Sequence, residues 1–183
     1  MNLVVRKATE HDVQALADLA EITFPQTCPP NHTPENIANH LRRVLSATNF
    51  MEYATSSDFE LTVAADQGAL VGFSLIDYGP SDDPDVQSQL ANAAPYAELS
   101  KLYVHPNFHG VGVAQALRDE ALANMKARSI QTAWLTVSQL NERANAFYEK
   151  SGFTVLATKK YRVGNILDDD YLRVRLLGET QRA

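Results

Sequence analysis

The sequence predicts an α/β fold in which a mixed central sheet of about six to seven strands is flanked by about four helices. Stretches with strand character alternate along the chain with stretches of helical apolar periodicity. Residues 98–137 run strand, turn, helix and strand, which favours a right-handed parallel crossover. With 183 residues, of which 45% are hydrophobic, the chain suits one domain over residues 1–183, with residues 178–183 as a loose tail.

The first third of the chain predicts a strand and two helices. Residues 2–7 alternate as a strand does, and Thr9 follows as the N-cap of a helix that ends near Thr23. The apolar face of this helix consists of Val13, Leu16, Leu19 and Ala20. After a link interrupted by prolines, Thr33 caps a second helix that has Pro34 in its first position. The apolar stripe of the second helix consists of Ile37, Leu41 and Val44.

A β-hairpin and a long loop follow. Residues 61–65 and 69–78 favour two strands joined at Asp66-Gln67-Gly68. Residues 79–95 lose this periodicity, apart from one short helix near residues 86–91. The acidic residues of the loop are Asp82, Asp83 and Asp85. We consider a solvated acidic loop and an acidic rim that attracts a polycation, and acidic runs are more often solvated.

The centre of the chain predicts a buried strand, a turn and a helix start. Residues 97–105 favour the strand, Pro106 ends it, and the helix runs from about Gly112 to Ala127. The turn is rich in small residues, which are Gly110, Gly112 and Ala114. Free N–H groups and the dipole at a helix start attract anions, so small residues there admit a phosphate or pyrophosphate. The alternative is an ordinary strand–helix connection, and neither a P-loop nor a Gly-x-Gly-x-x-Gly pattern is present.

The last part of the chain predicts a fifth strand, one more helix and a hairpin. Residues 132–137 favour the strand, Asn141 begins the helix and Gly152 ends it. Residues 153–161 and 171–177 favour the two strands of the hairpin. We place the run Asp168-Asp169-Asp170 in the connection between them.

Two segments together resemble the GNAT superfamily of N-acetyltransferases. Leu102-Tyr-Val104-His-Pro106 followed by His109-Gly-Val-Gly112-Val-Ala114 is similar to the acetyl-coenzyme A (acetyl-CoA) signature, with His109 where that family usually has Gln or Arg. Asn141-x-x-Ala144-x-x-Phe147-Tyr148-Glu-Lys150-x-Gly152-Phe153 resembles the segment that closes the cofactor site. The resemblance covers most of residues 3–177. It implies the GNAT fold, an N-acetyltransferase that uses acetyl-CoA as cosubstrate, and a homodimer as the common assembly.

The resemblance also implies which residues bind acetyl-CoA. The backbone of residues 102–104 would meet the pantetheine arm and polarise the thioester carbonyl, while Asn141 would hold the arm from the other side. Residues 110–114 would hold the pyrophosphate. The implied cofactor-binding residues are Leu102, Tyr103, Val104, His109, Gly110, Val111, Gly112, Val113, Ala114, Asn141, Phe147 and Lys150.

Tyr148 and Glu98 are the candidate catalytic residues. Acetyl transfer needs an amine that loses a proton and a thiolate that gains one. A phenol has an ordinary pKa of about 10, so Tyr148 is the candidate general acid, against the alternative of simple packing beside Phe147. Glu98 opens the central strand and is the candidate base. Its alternatives are a carboxylate that only binds a cation and a strand-end charge in solvent.

Composition limits the partners. A formal net charge of −6 argues against nucleic acid and is compatible with a cationic substrate, although it serves solubility equally well. No apolar run has the roughly 20 residues that a membrane span needs, and the N-terminus lacks a signal-peptide pattern. We therefore expect a cytoplasmic protein without membrane contact. The single cysteine, Cys28, allows no internal disulfide, and the five histidines lack metal-ligand spacing, so we expect no metal.

The acceptor amine is the least specified feature. The segment from Tyr161 to Asp170 and the helix start Thr33-Pro34-Glu35-Asn36 are similar to the bacterial spermidine/spermine N-acetyltransferase branch, which implies a polyamine. The carboxylates available to such a cation are Glu98, Asp82, Asp83, Asp85, Asp168, Asp169 and Asp170. Other small-molecule amines (an aminoglycoside or an amino acid), a protein N-terminus, and a non-catalytic module that binds coenzyme A are the alternatives.

Overall fold

The computed structural model describes residues 2–93, 95–163 and 166–178. The predicted tail beyond residue 178 lies outside these ranges. So do residues 164 and 165, which belong to the segment that is similar to the spermidine/spermine N-acetyltransferase branch. The strands are β1 (Leu3–Lys7), β2 (Phe59–Asp66), β3 (Ala69–Asp77), β4 (Tyr96–Val104), β5 (Thr132–Ser138), β6 (Thr154–Val163) and β7 (Ile166–Leu176). The α-helices are α1 (Val13–Thr23), α2 (Pro34–Val44), α3 (Ala47–Thr55), α4 (Pro84–Leu90), α5 (Val113–Ala127) and α6 (Glu142–Lys150).

The seven strands form one mixed sheet in the order β1-β2-β3-β4-β5-β7-β6. Neighbouring strands are antiparallel except for β4 and β5, which are parallel and are connected through α5. The predicted mixed sheet and its parallel strand–helix–strand unit are therefore confirmed. The last strand, β7, lies between β5 and β6 and is thus an inner strand of the sheet.

The parallel pair opens after a short paired stretch. Its register begins with Tyr96 and ends with Glu98 opposite Trp134. Beyond Glu98, β4 is paired with β3 as far as Val104, and no described residue of β5 pairs with it. We call the gap between β4 and β5 beyond Glu98 and Trp134 the split. It leaves one edge of β4 without a strand partner in the part of the chain that the structure describes.

Helices cover both faces of the sheet. On one face, α1 and α3 pack around the fully buried Leu16, Phe50 and Phe73, and the two phenyl rings meet edge to face with 5.3 Å between their centroids. On the other face, α5 and α6 pack around Met125 and Phe153. Because each such side chain stabilises the fold by about 1.5–3 kcal/mol when buried, the two layers hold the sheet firmly around the split.

The described residues contain six α-helices rather than about four. The sequence carries little signal for α3, because Phe50 is the one fully buried residue among its nine. The helix begins after Ser46, whose Oγ accepts a hydrogen bond from the N–H of Asn49 at 3.3 Å. Serine side chains bond nearby backbone N–H groups in the same way in loops, so this serine alone does not identify a helix start.

One aspartate of the acidic loop, Asp83, has a structural role. Asp83 caps α4, since its Oδ1 accepts hydrogen bonds from the N–H groups of Asp85 at 2.9 Å and Val86 at 3.4 Å. For this reason α4 begins at Pro84, two residues before the predicted start. Asp83 also forms an ion pair with Lys159 at 2.6 Å, which attaches the loop to β6. Asp85 is exposed, as a solvated loop requires.

The prediction that Asp168-Asp169-Asp170 lies in a connection is wrong, because all three aspartates belong to β7. Their environments alternate along the strand: Asp169 is exposed and pairs with Lys160 at 2.6 Å, whereas Asp168 and Asp170 are buried. Asp168 pairs in turn with His32 from a distant part of the chain. These partners offset the low strand preference of aspartate, and local sequence does not reveal them.

None of the helices that the structure describes combines the length and apolar character needed to cross a membrane.

Candidate active site

A pocket of about 420 Å³ occupies the split. Its walls come from β4, β5, β7, α6, the turn before α5, and the loop between α1 and α2. Both candidate catalytic residues line it, together with Leu102, Tyr103, Val104, His109, Gly110, Ala114, Asn141 and Phe147. The structure thus gathers most of the predicted site residues into one cavity. Val111, Gly112, Val113 and Lys150 lie outside its wall.

The open edge of β4 forms one wall of the pocket. The N–H of His105 donates to the carbonyl of Val71 at 2.8 Å, so this residue and, two positions earlier, Tyr103 direct their backbone groups towards β3. Leu102 and Val104, which alternate with Tyr103 and His105 along the strand, therefore direct their backbone N–H groups into the split. Donors in this position suit an extended ligand arm that lies alongside the strand.

The glycine turn, residues 109–114, exposes the start of α5. Gly110 and Gly112 have φ values of +77° and +97°, and a Cβ added at either position would contact nothing within 4 Å. The glycines are therefore needed for the backbone conformation, and the space beside them is open to a ligand. The side chain of Val113 is fully buried in the core, so only its backbone N–H can face a ligand. An open helix N-terminus of this kind fits the phosphates of coenzyme A.

His109 connects the glycine turn to two neighbouring elements. Its Nε2 lies 2.9 Å from the carbonyl oxygen of Val104, and its Nδ1 lies 2.6 Å from Nη1 of Arg143. A neutral ring with the proton on Nε2 satisfies both contacts, because Nδ1 then accepts from the guanidinium. Arg143 also lines the pocket, and it brings a positive charge to the place where the family usually has Gln or Arg. Arg143 is not among the residues predicted from the sequence. Its position two residues after Asn141 is the signal that could have placed it at the site.

Helix α6 is fixed at both ends. Asn141 caps its start, with Oδ1 accepting from the N–H of Ala144 at 3.1 Å. At its end, the N–H of Gly152 donates to the carbonyl of Glu149 at 2.9 Å and that of Phe153 to the carbonyl of Tyr148 at 3.0 Å. This is a Schellman motif, and the φ of +79° at Gly152 is the left-handed conformation that it requires. The amide NH₂ of Asn141 is not used by the cap.

Tyr148 is buried on the α6 side of the split. Its ring packs edge to face against Phe147 and Phe153, with centroid separations of 5.4 and 5.8 Å. Burial raises the pKa of Tyr148 above its ordinary value, so the phenol is protonated at neutral pH and can act as a proton donor. On the same helix, Lys150 is exposed.

Glu98 lies on the opposite face, where the two strands begin to part. It is opposite Trp134 in the register, and Trp134 packs under α4, away from α5 and α6. Burial raises the pKa of Glu98 to about 7, Lys101 opposes this increase, and Asp77 adds to it. A carboxyl group with this pKa can take up or release a proton near neutral pH.

The far end of the pocket carries two more carboxylates on β7, Asp168 and Asp170. His32 Nε2 lies 2.5 Å from Asp168 Oδ2, and this contact attaches the loop between α1 and α2 to β7. Burial raises the pKa of Asp170 to about 6, and the charge of Asp168 adds to the effect. This end of the pocket is therefore acidic; because we expect an amine to bind there, we call it the acceptor end.

Cys28 does not add a reactive thiol to the pocket. Cys28 lines the pocket, but burial raises the pKa of its thiol to about 11, so the thiol is a poor nucleophile at neutral pH. Among residues 2–93, 95–163 and 166–178, no group of three or more His, Cys, Asp and Glu side chains could hold a metal ion.

Transfer of an acyl group from a phosphate-bearing thioester requires a site that holds the phosphates of the carrier. It also requires groups beside the thioester that can move protons. The pocket offers groups of both kinds, which is the arrangement expected of an acyltransferase. Residues 14–153 match the model of the Acetyltransferase (GNAT) family. The match spans most of the chain, which therefore belongs to this family and is an acetyl-CoA-dependent N-acetyltransferase.

Related proteins agree with this assignment. An uncharacterized N-acetyltransferase of Mycobacterium tuberculosis is 39% identical over 166 residues, which cover 91% of this chain and 98% of the relative. A spermidine N(1)-acetyltransferase of Thermoplasma acidophilum is 26% identical over 155 residues, covering 85% and 90%. Among solved structures, the PaiA N-acetyltransferase of Thermoplasma acidophilum in complex with coenzyme A has a TM-score of 0.78 at 23% identity, with 96% and 99% of the chains covered. This structural likeness shows a shared fold.

Proposed function

We propose that the enzyme acetylates a primary amine of a polycationic small molecule, with Glu98 as the base and Tyr148 as the general acid. One observation carries the proposal: the split brings these two residues into one pocket from opposite faces of the sheet. The amine can approach from the Glu98 side and the thiolate can leave on the Tyr148 side. The proton that the amine loses and the proton that the thiolate gains would then move on separate sides of the pocket.

The chain contributes the binding groups for the cosubstrate. Acetyl-CoA supplies the acetyl group as an activated thioester. The N–H groups of Leu102 and Val104 would polarise the thioester carbonyl, held in position because the neighbouring residues Tyr103 and His105 direct their backbone groups to β3. The first N–H groups of α5 and the guanidinium of Arg143 would neutralise phosphates, and the free amide NH₂ of Asn141 would donate to the pantetheine arm.

The two proton transfers follow from the environments of the residues. A primary amine has a pKa of about 10, like that of lysine, and so arrives as a cation that the carboxylate of Glu98 attracts. Since the pKa of Glu98 is about 7, its carboxylate is partly available at neutral pH to take the proton, directly or through a water molecule. Tyr148 is still protonated under these conditions and can supply the proton that the thiolate needs.

A polycationic acceptor is supported by the charges of the pocket. Glu98, Asp168 and Asp170 line it, and Asp168 and Asp170 are buried where salt screens them little. Lys101 also lines the pocket and its charge acts on Glu98, so the carboxyl groups on β7 carry this argument. The spermidine acetyltransferase among the relatives points in the same direction. An aminoglycoside shares the charge but needs more room than one extended chain of methylene groups, and a single amino acid carries a carboxylate that these aspartates would repel.

A panel of amines tests the proposal. Purified enzyme with acetyl-CoA should release coenzyme A fastest with spermidine and related polyamines, more slowly with an aminoglycoside, and least with amino acids or a peptide N-terminus. Tyr148→Phe should lose most of the turnover and keep coenzyme A binding by calorimetry. Equal or faster turnover with the peptide or the amino acids would overturn the polycation assignment.

A further inference from the structure

Asp170 is a buried carboxylate without a partner in the described structure. It is 5% exposed and lines the acceptor end of the pocket. Its Oδ1 is fully buried and has no hydrogen-bond partner among the described residues. An unpaired buried carboxylate is costly, so its presence in a pocket wall calls for an explanation.

The neighbouring charges are already committed. Asp168 is bound to His32 at 2.5 Å, and the amide of Asn31 lies 3.5 Å from its other oxygen. Lys159 is directly opposite Asp170 in the β6–β7 register, but its Nζ is bound to Asp83 at 2.6 Å. Lys159, whose charge acts on Asp170, is therefore bound to another carboxylate, and Asp170 is the carboxylate of this end that remains available to a ligand.

Asp170 and Glu98 mark two separate positions on one face of the sheet. Glu98 is opposite Trp134 on β5, and Asp170 is opposite Ser138 on the same strand. Four residues along a strand correspond to about 13 Å, and two strand spacings add about 10 Å sideways, so their Cα atoms are roughly 16 Å apart. Both side chains line the same pocket. The two groups therefore cannot share one ammonium.

We propose that Asp170 binds a second, non-reacting ammonium group of the acceptor and thereby makes the enzyme selective for extended di- and polyamines over monoamines. This inference rests on the proposed function, in which Glu98 receives the reacting amine. An ammonium at Asp170 would make a charge-assisted hydrogen bond in a site largely shielded from water. A monoamine at Glu98 would leave Asp170 unpaired and gain nothing from it.

The test compares acceptors that differ in the second charge. Values of kcat and KM are measured for spermidine, 1,4-diaminobutane and n-butylamine with the wild type, Asp170→Asn and Asp169→Asn. Asp170→Asn should lower kcat/KM for spermidine about 10- to 100-fold, mainly through KM, and leave n-butylamine unchanged. Asp169→Asn is the matched control, because Asp169 is exposed on the other side of β7, and it should behave as the wild type.

Different outcomes separate the inference from the function on which it rests. If Asp170→Asn lowers kcat equally for spermidine and n-butylamine, Asp170 acts in the chemistry and the inference is overturned; unchanged selectivity overturns it as well. No turnover of any amine by the wild type would instead refute the proposed function. Spermidine should also raise the melting temperature of the wild type more than that of Asp170→Asn. Asp170→Ser provides the same comparison if the asparagine variant does not fold.

Discussion

Replacing Glu98 by Gln removes the carboxylate at the start of the split and preserves the size of the side chain. With a pKa of about 7, caused mainly by burial, Glu98 should be roughly one-tenth ionised at pH 6, half ionised at pH 7 and nine-tenths ionised at pH 8. If its carboxylate accepts the amine proton, its contribution to turnover rises about tenfold from pH 6 to pH 8. The Gln variant should lose about 10²- to 10⁴-fold in kcat at pH 8, which is the usual contribution of a general base.

The assay measures initial rates of coenzyme A release from quenched samples with saturating acetyl-CoA. Spermidine is kept below its KM across this pH range, so that the pH profile reports the pKa of Glu98 in the enzyme without amine, and it is saturating for the kcat comparison at pH 8. The fraction of free amine in solution also rises with pH, but it does so equally for both enzymes, so the ratio of wild-type to variant rates isolates Glu98. Glu52→Gln, on the exposed surface of α3, is the control and should follow the wild type. A ratio that does not change with pH, or a loss smaller than about threefold, would refute the reasoning.

Four further variants test other parts of the site and the fold. Tyr148→Phe should lower kcat about 10²- to 10⁴-fold with little change in the calorimetric affinity for coenzyme A, and an unchanged kcat would exclude it as the general acid. Gly112→Ala should reduce the free energy of unfolding in urea by about 1–2 kcal/mol, because a φ of +97° strains any side chain even though the space is open; no loss would contradict this. Arg143→Ala should weaken coenzyme A binding about tenfold and reduce its salt dependence, whereas an unchanged affinity would remove Arg143 from the phosphate site. Phe50→Ala should cost about 3–5 kcal/mol in urea unfolding, since the ring is fully buried between α3 and the sheet, and a loss below 1 kcal/mol would mean that this layer repacks.

The fold and the cofactor half of the site were predictable because their signals are local. Period-two and helical patterns define most strands and helices, and the motifs around Gly110 and Tyr148 lie on elements whose order is confirmed. Short helices with few apolar residues, such as α3, lack such a signal. The roles of individual residues, the single domain, the homodimer and the cytoplasmic location stay predictions.

The acceptor half was harder to predict because long-range contacts build it. His32 and Asp168 are 136 residues apart in sequence, and no local pattern connects them. The aspartate run suggests a solvated turn until the partners Lys160 and His32 are known. In the same way, His109 departs from the family pattern, and its contact with Arg143 becomes visible only when α6 is placed beside the glycine turn.

The position of β7 in the sheet has a consequence for the order in which the enzyme matures. Among the described strands, β7 is synthesised after all the others, yet it separates β5 from β6 and provides two carboxyl groups of the pocket wall. The elements that carry the two acetyltransferase motifs precede β7 in the chain, so the β7 side of the pocket can form only after they have been synthesised.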